Sequence, residues 1–263
     1  TLLCVFFSGL MFVHIIRSWD SKEKTSYKKI NEIVYALLTL GFGLGYPLMI
    51  VNLAADHPGL LFDTAVEEFT FLGNLLICGV MTGIFLWALS AKIRVRKNPK
   101  LMKTQNNYEA FCEQFLKEYP EKNHIKRKIT HILPVAVVAG CVVMFSFLRF
   151  FNGAWIDYAL FFVIIIGVDF ALTFLLQDLI RLFDFTWMPP NAIRMCSAGL
   201  TPDELDSFSS TAVMVWSFAP FLFFSFPIFF IVLLITAVAD AMASIFGILA
   251  PNKHIFPKDT DKS

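Results

Sequence analysis

The residues best suited to chemistry lie in the second half of the chain, as carboxylates, cations and imidazoles set in apolar sequence. In ADAMASIFG, Asp240, Ala243, Ser244 and Gly247 recur at i, i+3, i+4 and i+7 and so share one helical face. Small residues there admit a close helix neighbour or a phosphate, and an acid in such sequence is costly unless paired or bound to a metal. The same face also suits a packing seam with Asp240 reaching towards the interface. The stretch that follows, APNKHIFPKDTDKS, gathers Lys253, His254, Lys258 and Lys262 among turn-forming residues and hydroxyls. It suits phosphate binding and equally suits a basic membrane anchor.

A second group opens an apolar run at KRKITHIL, where Arg127 and His131 stand at i, i+4 and Lys128 lies on the adjoining edge. Cations at this spacing can neutralise phosphoryl oxygens while the imidazole takes a hydroxyl proton, as phosphoryl transfer to an alcohol requires. As anchor charges and an interfacial histidine the same residues need no chemistry. In QDLIRLFD, Asp178 and Arg181 fall at i, i+3, the spacing of a local ion pair. GLTPDELDSFSS reads as a turn and helix start, with Thr201 capping and Asp203 and Glu204 in the first turn. Asp169 lies in the middle of an apolar run, where an ionisable group is a functional suspect unless a neighbour satisfies it.

The elements that must position these residues are membrane helices. With 57% hydrophobic residues and a mean hydropathy of +0.64, the composition excludes an ordinary soluble enzyme. Crossing the hydrocarbon core takes about 20 apolar residues in a helix. Residues 33–53, 71–91, 129–151 and 159–178 meet that requirement, and 1–16 gives a shortened span. The run 211–250 is too long for one crossing and is expected to divide at Ser225-Phe226-Pro227. The fold class is therefore all-α, a polytopic bundle of about seven spans.

Lys and Arg in short loops resist translocation and so set orientation. Segment 17–32 holds five of them and segment 92–128 eleven, whereas 54–70 and 152–158 hold none. Alternating spans then place 17–32, 92–128, 179–210 and 251–263 together on the cytoplasmic side. Within the second of these, Tyr108, Phe111, Phe115 and Tyr119 recur at helical spacing. Such a helix lies along the membrane surface or packs on the ends of the spans. Cys4, Cys78, Cys112, Cys141 and Cys196 sit mostly in apolar sequence without CxxC or Cys/His pairing, which indicates neither a disulfide framework nor a zinc site. No Walker loop, GxSxG or HExxH string occurs.

Taken in order, RKxxH at Arg127–His131, the QDLIRL and PDELDSFSS segments, a span broken at Phe226-Pro227, DAMASIFG and the basic KS ending resemble the dolichol/phytol kinase family. The resemblance divides the chain into N-terminal spans with a cytoplasmic loop, residues 1–123, and a kinase-like membrane region, residues 124–263. It implies CTP-dependent phosphorylation of a lipid alcohol of polyprenol, phytol or diacylglycerol type. By the same resemblance Asp240 would hold Mg2+ on the nucleotide phosphates. Ser244, Gly247, Arg181, Glu204, Lys253, His254 and Lys262 would line the nucleotide side, and Arg127, Lys128 and His131 would carry the other motif. The Asp-containing helix also resembles the signature of phosphatidate cytidylyltransferases, and RKxxH favours the kinase. The family's usual Gly before the Asp is Ala239 here, and its basic, glycine-containing loop is Ile248-Leu249-Ala250-Pro251. A non-catalytic family member or a transporter is the reading these departures and Asp169 leave open. The ends, inside an apolar run and at a KS that the family continues with Glu-Gly, are those expected of a piece of a longer protein.

Overall fold

The computed structural model describes residues 1–21, 24–56, 65–104, 106–118, 121–147 and 155–249. At 52–56, 65–70, 103–104, 118, 121–131, 157, 198, 212, 240, 244 and 247–249 it describes the backbone alone. The elements are α1 (Leu2–Arg17), α2 (Ser26–Asp56), α3 (Ala65–Lys97), α4 (Pro99–Thr104), α5 (Tyr108–Glu118), α6 (Glu121–Phe147), α7 (Trp155–Phe183), α8 (Pro190–Gly199), α9 (Ser210–Leu222), α10 (Phe226–Leu233) and α11 (Asp240–Leu249). Short 3-10 turns occupy Phe185–Trp187 and Pro202–Glu204, and a π-helical segment, Leu234–Ala239, joins α10 to α11. Every regular element among the described residues is helical, as the all-α expectation requires.

Four stretches are long and apolar enough to cross a membrane: Ser26–Val51, Phe71–Lys97, Tyr158–Phe183 and Phe226–Ala243. Leu2–Arg17, Ile132–Phe147 and Val213–Leu222 are apolar but shorter. At 1.5 Å per residue, an apolar helix of 10–17 residues reaches only about 15–26 Å, short of the roughly 30 Å hydrocarbon core. The seven expected spans thus coincide with seven apolar helices, of which four have crossing length among the described residues. The division of 211–250 falls where the sequence places it. Pro220 lies in the last turn of α9, Phe223–Ser225 break the helix, and Pro227 sits in the first turn of α10, where its missing N–H costs nothing.

α7 is the central helix, touching α1, α3, α6 and α9. Its apolar window is 56% buried, against 33% for α2 and 22% for α3. α1 lays the stripe Cys4, Phe7, Met11 and Ile15 into the core at helical spacing. α1 and α2 approach closely: Ser8 Oγ donates to the Ala36 carbonyl at 2.9 Å, and a Cβ built on Gly43 would lie 2.5 Å from Cys4 Cβ. Such small-residue crossings are typical of helices packing in lipid. Around this core the outward side chains remain apolar, including Leu2, Phe71, Leu75, Phe147, Ile231 and Phe246. A surface apolar at this density suits hydrocarbon rather than water as its medium.

Candidate functional site

Polar side chains gather at one end of the bundle, where α1, α3 and α7 finish and α2 and α9 begin. Arg181 is the hub. All five of its N–H groups have acceptors, an arrangement suited to a guanidinium that is only 2% exposed. Nε and Nη2 donate to Asp178 Oδ1 at 3.3 and 3.0 Å. Nη1 donates to the Glu204 and Leu205 carbonyls at 3.0 and 2.5 Å, and Nη2 to the Ser207 carbonyl at 2.5 Å. Asp178 completes the loop's attachment, since its Oδ2 accepts from both the backbone N–H and the hydroxyl of Ser209 at 2.7 Å. The i, i+3 ion pair read from QDLIRL is present, and its larger task is to fasten residues 204–209 to the end of α7.

Glu204 ties the same loop from within. Its Oε2 accepts from Thr201 N–H and its Oε1 from Ser210 N–H, each at 3.0 Å. One carboxylate thus caps the 3-10 turn and the start of α9, a role the sequence reading, which placed the cap at Thr201 and Glu204 only in the first turn, did not assign to it. Neither Arg181 nor Glu204 presents a free side chain to a nucleotide in this arrangement. Both position the loop.

Helix α5 closes over the assembly. Phe111 and Phe115 pack with Cys196, Leu200 and Leu205, and Tyr108 and Phe111 pack with Phe185 and Met188. Of the two readings of this aromatic stripe, packing on the ends of the spans is the one adopted; Tyr119 lies outside the described residues. The Tyr108 hydroxyl donates to the Leu205 carbonyl, and burial raises its phenol above the usual value although Arg181 opposes the shift. Burial likewise pushes the Cys196 thiol up to about 12, so it is a neutral packing group. Lys92 of α3 reaches Asp184 at 2.7 Å and Thr186 at 2.6 Å. Partial burial would raise the Asp184 carboxyl, but hydrogen bonds from Lys92 and Thr186 carry it below its ordinary value.

The N-terminal helices contribute a cluster that the sequence reading missed. Lys24 Nζ donates to Glu32 Oε1 at 2.7 Å, to Ser18 Oγ at 2.9 Å and meets His14 Nε2 at 3.1 Å. Lys24 and Glu32 are both buried. The His14 ring lies edge-on to Phe208 at 5.2 Å, and Lys28 pairs with Asp206 at 2.8 Å, so α1 and α2 also brace the 201–209 loop. The available signal was Glu32, a single acid at the threshold of an uncharged run, where burial demands a cation partner.

Arg127, Lys128 and His131 lie in the first turns of α6, and Asp240, Ser244 and Gly247 lie along α11; of these residues the backbone alone is described. Both the π segment and α11 pack against α6, so the helices carrying the two motifs are neighbours. The π segment ends at Ala239, immediately before Asp240. Such segments arise where a helix must shift the phase of its side chains and recur at functional sites. Lys253, His254 and Lys262 lie outside the described residues. Asp169 sits midway along α7 with Oδ1 buried and without a hydrogen-bond partner among the described residues. No group of three or more potential metal ligands occurs among the described residues.

Fold and polar end together define a helical membrane protein with a braced loop at one end of its bundle. Comparison with family models, curated proteins and solved structures finds no match to this chain.

Proposed function

We propose that this chain is a CTP-dependent kinase of a membrane lipid alcohol, acting at the cytoplasmic end of its helices. The observation that carries the reading is the packing of the π segment and α11 against α6. That packing makes neighbours of the helices that carry DAMASIFG and RKITHIL, two motifs about a hundred residues apart in sequence. The loop-bearing end of α7 supplies the third motif of the same family resemblance, with Arg181, Asp178 and Glu204 as its positioning residues.

In this reading Arg127 and Lys128 neutralise the phosphoryl oxygens in flight, and His131 accepts the proton of the attacking hydroxyl. The terminal phosphoryl group passes from CTP to the alcohol oxygen, leaving CDP and a lipid phosphate. Asp240 is the residue that would hold Mg2+. A single carboxylate fits, because Mg2+ usually keeps several waters and completes its shell with substrate phosphates. When bound, the ion supplies charge neutralisation at the phosphates. Ser244 and Gly247, on the same face as Asp240, leave room for the nucleotide, and Lys253, His254 and Lys262 add cationic contacts.

The direct test supplies labelled CTP with a polyprenol, and separately with phosphatidate, to the full-length protein in vesicles. Lipid phosphate from the alcohol is the expected product. Pyrophosphate release with phosphatidate would instead establish a cytidylyltransferase, and no product with any lipid would establish a non-catalytic member.

A further inference from the structure

We infer that the outward face of α3 binds a phospholipid with a net anionic headgroup, its phosphate held by Arg94 and Lys97 and an acyl chain lying over Gly79 and Gly83. α3 turns Ile77, Met81, Ala88 and Val95 into the protein, where all four are buried. By the helical period, Gly79, Gly83, Trp87, Ser90, Arg94 and Lys97 follow one another along the opposite side, and all six are exposed. The cations there are ones the fold does not use. Glu32, Asp178, Asp184 and Asp206, at the same end of the bundle, are taken up by Lys24, Arg181, Lys92 and Lys28. Arg94 and Lys97 meet no carboxylate among the described residues. Arg94 Nε donates to the Ser90 carbonyl at 3.4 Å, which folds the guanidinium back towards the apolar part of the helix.

The glycines likewise have no task in the bundle. A Cβ built on Gly79 or Gly83 meets nothing within 4 Å, and a helical glycine forgoes helix propensity with no close neighbour to offset it. They leave a shallow trough between Leu76 and Trp87, whose larger side chains are exposed on the same face. Length fixes the register. From Gly83 to Arg94 the helix rises about 16 Å, half of the roughly 30 Å hydrocarbon core. A phosphate at Arg94 and Lys97 therefore brings acyl carbons of the same leaflet over the trough, with Trp87 between, an aromatic of the kind enriched near the membrane boundary. Cations just beyond a membrane helix attract anionic headgroups, and the planar fork of Arg suits phosphate. Glycines four apart also admit a second copy of the helix. The cations decide against that occupant, because a parallel pairing on this face would set Arg94 and Lys97 of one copy opposite those of the other.

The test uses the full chain in phosphatidylcholine nanodiscs doped with phosphatidylglycerol or phosphatidylcholine, each probe bearing the same diazirine-labelled acyl chain. At low salt the anionic probe is expected to label residues 79–87 severalfold more than the zwitterionic one. That preference should fall towards unity at high salt and in the double variant Arg94→Gln with Lys97→Gln, and persist in Arg194→Gln, which removes an exposed cation of α8. Gly79→Leu with Gly83→Leu should cut labelling of this face by either probe, each variant first being shown monodisperse. Equal labelling by the two probes, or a preference that survives loss of both cations, would overturn the assignment. So would a disulfide between copies through Ser90→Cys, in a cysteine-free background, that forms equally with and without anionic lipid; the face would then belong to a second copy. None of these readouts needs turnover, so the inference stands or falls apart from the kinase reading.

Discussion

Replacing Arg181 by Lys keeps a cation but removes the planar fork that serves Asp178 and three loop carbonyls at once. The ammonium has three donors for sites now filled by five, so buried acceptors lose their partners. Arg181→Lys is expected to lower stability by about 1–3 kcal/mol, the usual scale for leaving a buried acceptor unsatisfied. Thermal unfolding in detergent measures it, and wild-type stability would refute the hub assignment. Asp240→Asn makes a different prediction. Loss of a metal-holding carboxylate should reduce lipid phosphorylation by orders of magnitude with little change in unfolding temperature. Activity at the wild-type level would remove Asp240 from the site. Asp184 gives a pH effect of known sign. Its carboxyl is lowered, so the Lys92 bridge contributes fully above the ordinary carboxylate range and is lost as pH falls through the lowered value. The pair is exposed by about a third or more, so the change is small, and Asp184→Asn should flatten it in a stability profile against pH.

Among the helices, the α1–α2 crossing is the contact most sensitive to side-chain size. Gly43→Ala places a methyl against Cys4 Cβ at 2.5 Å and should cost about 1–3 kcal/mol as overpacking. Gly41→Ala meets nothing within 4 Å and should be neutral or gain up to about 1 kcal/mol from helix propensity. Equal effects in detergent unfolding would contradict the close approach. Apolar run length in the sequence predicts where the apolar helices lie, four of them of crossing length among the described residues, and the break near Pro227. The π segment before Asp240 was not legible. LITAVA reads as ordinary apolar helix, whereas in the structure the segment packs on α6 and Thr236 within it donates its hydroxyl to the Val232 carbonyl at 2.8 Å.

For the whole molecule, the charge asymmetry predicts that the braced end faces the cytoplasm. In a cysteine-free background, Asn98→Cys beyond α3 should resist a membrane-impermeant maleimide in intact cells and react after permeabilisation. Ser225→Cys, at the α9–α10 break, should react in intact cells; the reverse pattern would invert the topology. Sequence alone determined the helical class, the apolar runs and the bias of basic loops, because hydropathy and charge act locally along the chain. It also exposed the pairing of Asp178 with Arg181 and a helix start at Thr201–Glu204, since those partners lie within a few residues. Only the tertiary structure decided that Arg181 divides its donors between Asp178 and the carbonyls of the 204–207 loop and that Lys24 and Glu32 are buried together beside His14. It alone brought α11 against α6. These depend on which helices become neighbours, and in a bundle of similar apolar faces that choice is made by shape and by a few buried polar contacts, which no local pattern encodes.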